Sequence, residues 1–506
     1  MRSVCYGLVA AGWSCKPVVC RTAAAATLLT ALTCVLPAPA QTPAPLTLPA
    51  AQALAAQRAT AVLVAQRDAS VATLDVARLR ADLRPQVRLN ATVPSYFRSF
   101  RETVQPDGSI RFQPVTVNNS SVGVSAAQAF AKTGGTLALS TGLQRFDDFE
   151  QDFNLYNGSI ARLGYTQPLW GFNRLKWDRQ IIPLVARETD ARLVAAKLEA
   201  ELAATRAFFD LAAAQLAFQI ADANAMAAER LLAIANERYA LGKVSRGDQV
   251  QIELELADAQ QNRLRARQVW LGATADFRAL MGEDFGGEPL AVVPPVVAEA
   301  DIAGDKTADA DIETDIATAL AQARARRPEA LTRARRILEA EAQLERDNRD
   351  NGFRADLSAS VGLIRSDPKL AEVYADPQLE QVAEVRLSVP IIDWGRRRAL
   401  VGQSEAEVVL AKALGRRAEQ TLETQVRLAV QQVDQSRAEL QLLSRVRDLA
   451  EERYRIARES YVLGAVPLTE LTLAQQARDQ RLRQYLGGLE NVFTAQAQLR
   501  ALTAAP

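Results

Sequence analysis

Histidine is absent from all 506 residues, and the four cysteines, Cys5, Cys15, Cys20 and Cys34, lie within the first 40. If those first 40 residues are removed, the remaining chain has neither thiol nor imidazole, and disulfides, cysteine nucleophiles and His- or Cys-ligated metal sites are excluded. Excess charge of one sign is also lacking. Sixty basic residues face 59 acidic ones, a formal net charge of +1, which leaves no electrostatic case for nucleic acid. Beyond residue 40 no uncharged run approaches the ~20 apolar residues of a membrane helix. No local motif supports carboxylate, serine or lysine catalysis, so the chain reads as a non-enzyme, with no cofactor and no metal.

What is present begins with a leader. Arg2, Lys16 and Arg21 precede an apolar run from Ala23 to Leu36, and Ala38-Pro39-Ala40 is an A-x-A cleavage site. Residues 1–40 read as a secretory signal peptide. Cys34 raises a lipoprotein alternative, but Ala31-Leu32-Thr33 has neither the leucine three residues before the cysteine nor the small residue directly before it. An exported chain of this composition crosses a membrane, if it does, as strands.

The main organising feature is a duplicated heptad seam. Ala200, Ala207, Ala214, Ala221, Ala228 and Ala235 recur every seven residues, with Ala204, Leu211, Phe218, Ala225, Leu232 and Tyr239 four residues on. Adding 222 gives Leu422, Ala429, Ser436, Leu443, Ala450 and Ala457 beside Val426, Val433, Leu440, Arg447, Tyr454 and Tyr461. A strict seven-residue repeat marks a helix wound against a neighbour. Both copies end alike, in Tyr239-Ala240-Leu241-Gly242-Lys243-Val244 and Tyr461-Val462-Leu463-Gly464-Ala465-Val466.

Taken in order, residues 41–281 form a first structural repeat. A helix runs from Leu48 to Leu83 and stops before Pro85, and Pro85 to Val93 alternates as a strand. Residues 95–158 carry the turn words Pro106-Asp107-Gly108, Gly134-Gly135 and Asn157-Gly158 and read as extra hairpins and loops. Ala161 to Gln167 alternates again. A long helix from about Asn173 to Leu241 then turns and returns from Asp248 to Met281. Residues 282–315, acidic and rich in Pro and Gly, form a linker. Residues 316–506 repeat the programme, with Phe353 to Leu363 and Val385 to Gly395 as strands and helices Arg396–Leu463 and Glu470–Leu502. The spacing between copies is 266 before the strands and 222 after them. The first half therefore holds about 44 extra residues between its two strands, expected as an insertion at their exposed end.

Two strands per half make about four per chain, too few for a membrane barrel of at least about eight. The barrel must then be shared between copies. A helix of about 67 residues spans roughly 100 Å, more than a domain core needs and suited to a tube projecting from a membrane.

The leader, the duplicated helix–strand–strand–helix–helix plan, the strand ends Gln167-Pro168-Leu169-Trp170-Gly171-Phe172 and Val389-Pro390-Ile391-Ile392-Asp393-Trp394-Gly395, and the paired Tyr-x-Leu-Gly-x-Val turns resemble the TolC family of outer-membrane efflux channels over residues 46–503. The resemblance implies a mainly α fold with a small β part: a coiled-coil α-helical barrel in the periplasm, joined to a 12-stranded β-barrel shared by a homotrimer in the outer membrane. It implies a passive duct of a tripartite efflux or type I secretion system, fed by a periplasmic adaptor and an inner-membrane pump of the RND, ABC or MFS class.

The resemblance also assigns sites. Leu241, Gly242, Val244, Leu463, Gly464 and Val466 form the adaptor-binding tip, although both glycines are explained as helix C-terminal residues. Asp248, Tyr461 and Glu470 form a gate, with Asp248 bonding toward Tyr461 and Glu470 lining the entrance. As helix N-terminal carboxylates, Asp248 and Glu470 are accounted for by the dipole alone. Val466 stands where the family can place a basic residue. Trp170, Phe172, Trp177 and Trp394, at the strand-to-helix transitions, form a membrane-interface aromatic girdle or ordinary junction packing. Two other classes compete: a periplasmic or surface coiled-coil protein without a pore, and a single-chain porin. The alternation from Ala355 to Leu363 speaks against the first, and the helical C-terminus against the second.

Overall fold

In the computed structural model the described residues are 46–503, apart from 243, 285, 296–308 and 464. The expected leader, Gly464 and part of the 282–315 linker lie outside them. The first half begins with β1 (Leu46–Thr47), α1 (Leu48–Arg58) and α2 (Thr60–Asp82). Five strands follow: β2 (Gln86–Thr92), β3 (Tyr96–Val104), β4 (Ile110–Ala129), β5 (Thr136–Asp148) and β6 (Phe153–Trp170). Next come α3 (Arg174–Ala240), α4 (Arg246–Leu280) and β7 (Val292–Val293). The second half contains α5 (Asp309–Arg326), α6 (Pro328–Asp350), β8 (Arg354–Asp367), β9 (Gln378–Ser388), α7 (Arg396–Val462) and α8 (Leu468–Thr503).

The duplication extends to element length. Both α2 and α6 have 23 residues, and both α3 and α7 have 67. The expected single helix over 48–83 is divided at Ala59, whose ψ of 132° leaves the helical region. The second half divides at the matching place, Arg327, where Pro328 pushes the preceding residue into extended backbone. The break directs α1 and α5 inward to cap the bundle. Leu48, Ala51 and Ala55 of α1 are buried with Phe208, Phe209 and Leu211 of α3, Met281, Leu440 of α7 and Leu489 of α8. Ile316, Ala319 and Ala323 of α5 pack on Val426 and Val430 of α7. β1 pairs in parallel with β7, which ties the middle segment to the start of the described chain.

The strand count differs from the expected four. The main sheet has seven strands among the described residues, six in the order β2-β4-β5-β6-β8-β9, with β3 pairing β4 beyond β2. All pairings are antiparallel. Residues 95–158 are therefore not a loop confined to the strand ends. Their centre intercalates as the hairpin β4–β5 between β2 and β6. A hairpin fits there because each of its strands offers backbone donors and acceptors on both sides. Two of the three turn words hold: Gly108 and Gly134 take φ of +82° and +77° at hairpin turns. Asn157-Gly158 instead lies inside β6. A Cβ on Gly158 would stand 2.1 Å from Cγ1 of Val373, a fully buried side chain in the 3-10 turn between β8 and β9. That glycine serves close packing.

Candidate functional site

Register assigns every sheet residue to one of two faces. On one face lie Leu89 opposite Val124, Val124 opposite Thr141, Leu139 opposite Leu163, Leu163 opposite Val361, and Leu357 opposite Val385. On the other lie Arg88 opposite Ser125, Ser125 opposite Ser140, Ser140 opposite Arg162, Arg162 opposite Gly362, and Gly362 opposite Glu380. The first face is apolar, and Leu89, Val124, Leu139, Leu163, Val361 and Val385 are all exposed. The second is polar, with Arg162 paired to Glu380 across β8. A sheet that is greasy on one face and hydrated on the other suits a wall between lipid and water.

Where β6 gives way to α3, the side chains form a compact junction with the end of α6. The guanidinium of Arg349 lies 4.4 Å from the Trp170 ring centre, and that of Arg346 lies 4.7 Å from Phe172. The Trp177 indole N–H donates to Glu345 (2.9 Å). Three of the four expected girdle residues thus meet one helix end. Trp394, matching Phe172 at the spacing of 222, is 95% exposed, and Ile391 is 92% exposed.

At the other end, α3 closes with Gly242 at φ +69°. Leu241 and Leu463 are exposed, and Val244 and Val466 half-exposed. The backbone N–H groups of Leu241 and Gly242 donate back to Glu237 and Tyr239 (3.2 and 2.9 Å), and that of Leu463 to Glu459 (3.1 Å). Two of the three expected gate residues, Asp248 and Glu470, are engaged by side chains of this chain. Asp248 forms a capping box with Ser245, whose hydroxyl donates to its carboxylate (2.7 Å) and accepts from its backbone N–H (3.2 Å). Tyr461 is half-buried near the end of α7. Glu470, in the first turn of α8, pairs with Arg453 (2.9 Å), a partner the sequence reading did not include.

Two buried polar networks join the helices, and neither is legible in the sequence. Between α3 and α8, Asp479 accepts from Asn224 (2.8 Å) and from Arg478 (2.7 and 3.0 Å), Gln475 donates to Asn224 (2.7 Å), and Arg478 covers Tyr454 at 4.2 Å. Between α3 and α6, Glu188 is 1% exposed and accepts from Arg335 (2.6 Å) and Thr332 (2.8 Å), with Arg192 alongside. Burial pushes the Glu188 carboxyl up, but the hydrogen bonds from Arg335 and Thr332 and the charges of Arg335 and Arg192 outweigh it, holding the group below its usual range. A charged residue interrupting a helical stripe was the only sequence signal for either network. Among the described residues no group of His, Cys, Asp or Glu is placed to hold a metal, and no helix is long and apolar enough to cross a membrane.

Residues 319–505 match the profile of the outer membrane efflux protein family. The whole fold is similar to solved outer-membrane proteins at low sequence identity. It matches the CmeC outer membrane channel of Campylobacter jejuni with TM-score 0.64 and 13% identity, over 90% of this chain and 85% of that one. It matches the outer-membrane channel OprN with TM-score 0.63 and 14% identity, over 91% and 90% of the two chains. For the outer membrane protein VceC of Vibrio cholerae the TM-score is 0.56 at 14% identity, over 90% and 96%. No curated protein sequence matches significantly.

Proposed function

We propose that this chain is an outer-membrane efflux protein of the TolC type, with its sheet in the outer membrane and its helices in the periplasm, and that it works as a passive homotrimeric duct of a tripartite efflux or type I secretion system. Cargo enters through a periplasmic adaptor from an inner-membrane RND, ABC or MFS pump, which supplies the energy. The observation that carries this reading is that every layer of the chain is open at the same two flanks. The sheet ends at β2 on one side and β9 on the other. The upper helices pack in the sequence α2, α3, α6, α7, and the lower ones in the sequence α4, α3, α8, α7. One flank is thus β2, α2 and α4, and the other is β9 and α7. Both carry exposed apolar side chains, among them Leu74 and Leu264 on the first and Leu410 and Leu449 on the second. A sheet edge open in a membrane must pair, and flanks that differ from one another join head to tail into a ring.

The internal duplication supplies a test of that ring. Within the chain, Arg346 of α6 covers Phe172. The residue at the same place in α2, eighteen residues after the first helical position, is Arg78, and the counterpart of Phe172 is the bare Trp394. In a ring, Arg78 of one copy faces Trp394 of the next. In the mature chain, free of cysteine, R78C combined with W394C and a short bis-maleimide is expected to produce covalent dimers and trimers, and either single variant none. Monomer alone from the double variant would overturn the ring.

The tip carries the gate and the docking contact. Asp248, Tyr461 and Glu470 stand near the two turns, so three copies repeat them around the narrow end. The docking contact comprises Leu241, Gly242, Val244, Leu463, Gly464 and Val466, of which Leu241, Val244, Leu463 and Val466 offer apolar side chains to a helical adaptor hairpin. D248A and Y461F are expected to raise single-channel conductance and antibiotic leakage several-fold. Unchanged conductance in both removes these residues from the gate.

A further inference from the structure

We propose that the β4–β5 hairpin is part of the membrane wall, so that each copy contributes six strands and three copies close an 18-stranded barrel. This inference rests on the outer-membrane trimer reading and departs from the 12-stranded wall that the family resemblance implies.

Four observations place the hairpin in the wall. The first is the ladder. β4 pairs with β2 from Gln86–Ala127 to Thr92–Ser121, and β5 pairs with β6 from Thr136–Thr166 to Asp148–Phe153. Without the hairpin β2 would meet β6 directly; with it, the two are held two strands apart. The second is the faces. Val122, Val124 and Ala126 of β4 and Leu137, Leu139 and Leu143 of β5 continue the apolar side of the neighbouring strands. Gly123, Ser125 and Ser140 continue the polar side. A hairpin standing in water outside the membrane has no reason to keep this alternation in phase with the wall.

The third is depth. The turn between β4 and β5 is fastened to the strand-to-helix junction: the Asn173 side-chain amide donates to the Ala131 carbonyl (3.0 Å) and that of Gln167 to the Thr133 carbonyl (2.7 Å). Asn173 also caps α3 by accepting from the Lys176 N–H. The hairpin therefore reaches the level of the girdle. At its other end the apolar face stops at Val122 and Leu143, and a polar cluster begins, with Asn118 donating to Asp147 (2.8 Å) and Arg145 to the same carboxylate (2.9 Å). The fourth is direction. An inserted pair of strands preserves the up-down alternation, so β2 and β9 remain oppositely directed and β9 of one copy meets β2 of the next antiparallel.

Barrel diameter grows roughly linearly with strand number, so eighteen strands make an exit about half as wide again as twelve, within the 16–18 range that leaves an aqueous channel.

The experiment uses full-length protein in cells, with one cysteine introduced at a time. V124C and L139C report the outward face of the hairpin, S125C and S140C its inward face, and L163C and V361C the outward face of β6 and β8. A trimer band on gels serves as the folding control. The expected result is that V124C, L139C, L163C and V361C react with a lipid-soluble maleimide and resist a membrane-impermeant one, while S125C and S140C react with the impermeant reagent. If V124C and L139C react with the impermeant reagent while L163C and V361C stay protected, the hairpin lies outside the membrane and the proposal fails with the outer-membrane reading intact. If all four react with it, the outer-membrane reading itself fails. Electron cryomicroscopy of the trimer in nanodiscs gives an independent count: eighteen strands support the proposal and twelve overturn it.

Discussion

Phe209→Ala is expected to remove about 3–5 kcal/mol per chain, the cost of deleting a buried aromatic from a packed core. Phe209 is fully buried. Its ring stacks on Phe493 of α8 with centres 5.8 Å apart, and meets Phe208 edge-on at 5.6 Å. It lies where α1, α3 and α8 converge, so the cavity would open between the two halves of the chain. Thermal unfolding of the detergent-solubilised protein, followed by circular dichroism, checks the prediction. The midpoint should fall by many degrees for F209A and by much less for F209L, which restores most of the volume. A midpoint for F209A within a degree of the parent would show that the aromatic cluster does not hold the halves together.

Glu188→Ala is the second large effect. Removing one partner of a buried ion pair costs about 3–5 kcal/mol. The lower end applies here, because Arg335 keeps Glu339 (2.7 Å) and is itself partly exposed. The sign of the pH dependence follows from the depressed carboxyl. A group whose folded pKa lies below its unfolded value contributes fully above that unfolded value, near 4.5, and loses the contribution as pH falls through the lower folded one. Glu188→Gln, which keeps the volume and removes the charge, should therefore be clearly less stable than the parent at pH 7, and the gap should narrow steadily below pH 4.5. A gap that stays constant down to pH 3 would mean that Glu188 acts through packing alone.

Both positions show how far the sequence could be read. The heptad seam was legible, and Ala200, Ala204, Leu211, Ala214, Ala225 and Ala235 are indeed buried, as are Val426, Ala429, Val433, Ser436, Leu440 and Ala457. Phe208 and Phe209 sit off that seam and are buried more completely than Phe218 on it. They face α1 and α8, which a pattern within one helix does not report. Glu188 in sequence is one more acid among helical charges, and only its juxtaposition with Arg335, 147 residues away, gives it a role.

By itself the sequence determined the long helices and their lengths, the duplication and the two-sided character of the strands. These follow from periods of seven and two and from glycine and proline punctuation, all local along the chain. The tertiary structure decided where the additional strands of the first half go, why Gly158 is a glycine, and which flanks of the chain are left open. Those features depend on pairing between residues far apart in sequence: Ala126 with Leu139 and Leu163 with Val361 in the sheet, and Gly158 beneath Val373. Alternation along a strand shows that it has two faces. Only the ladder on either side fixes which strands it joins, and whether an insertion lengthens a loop or adds strands to a sheet.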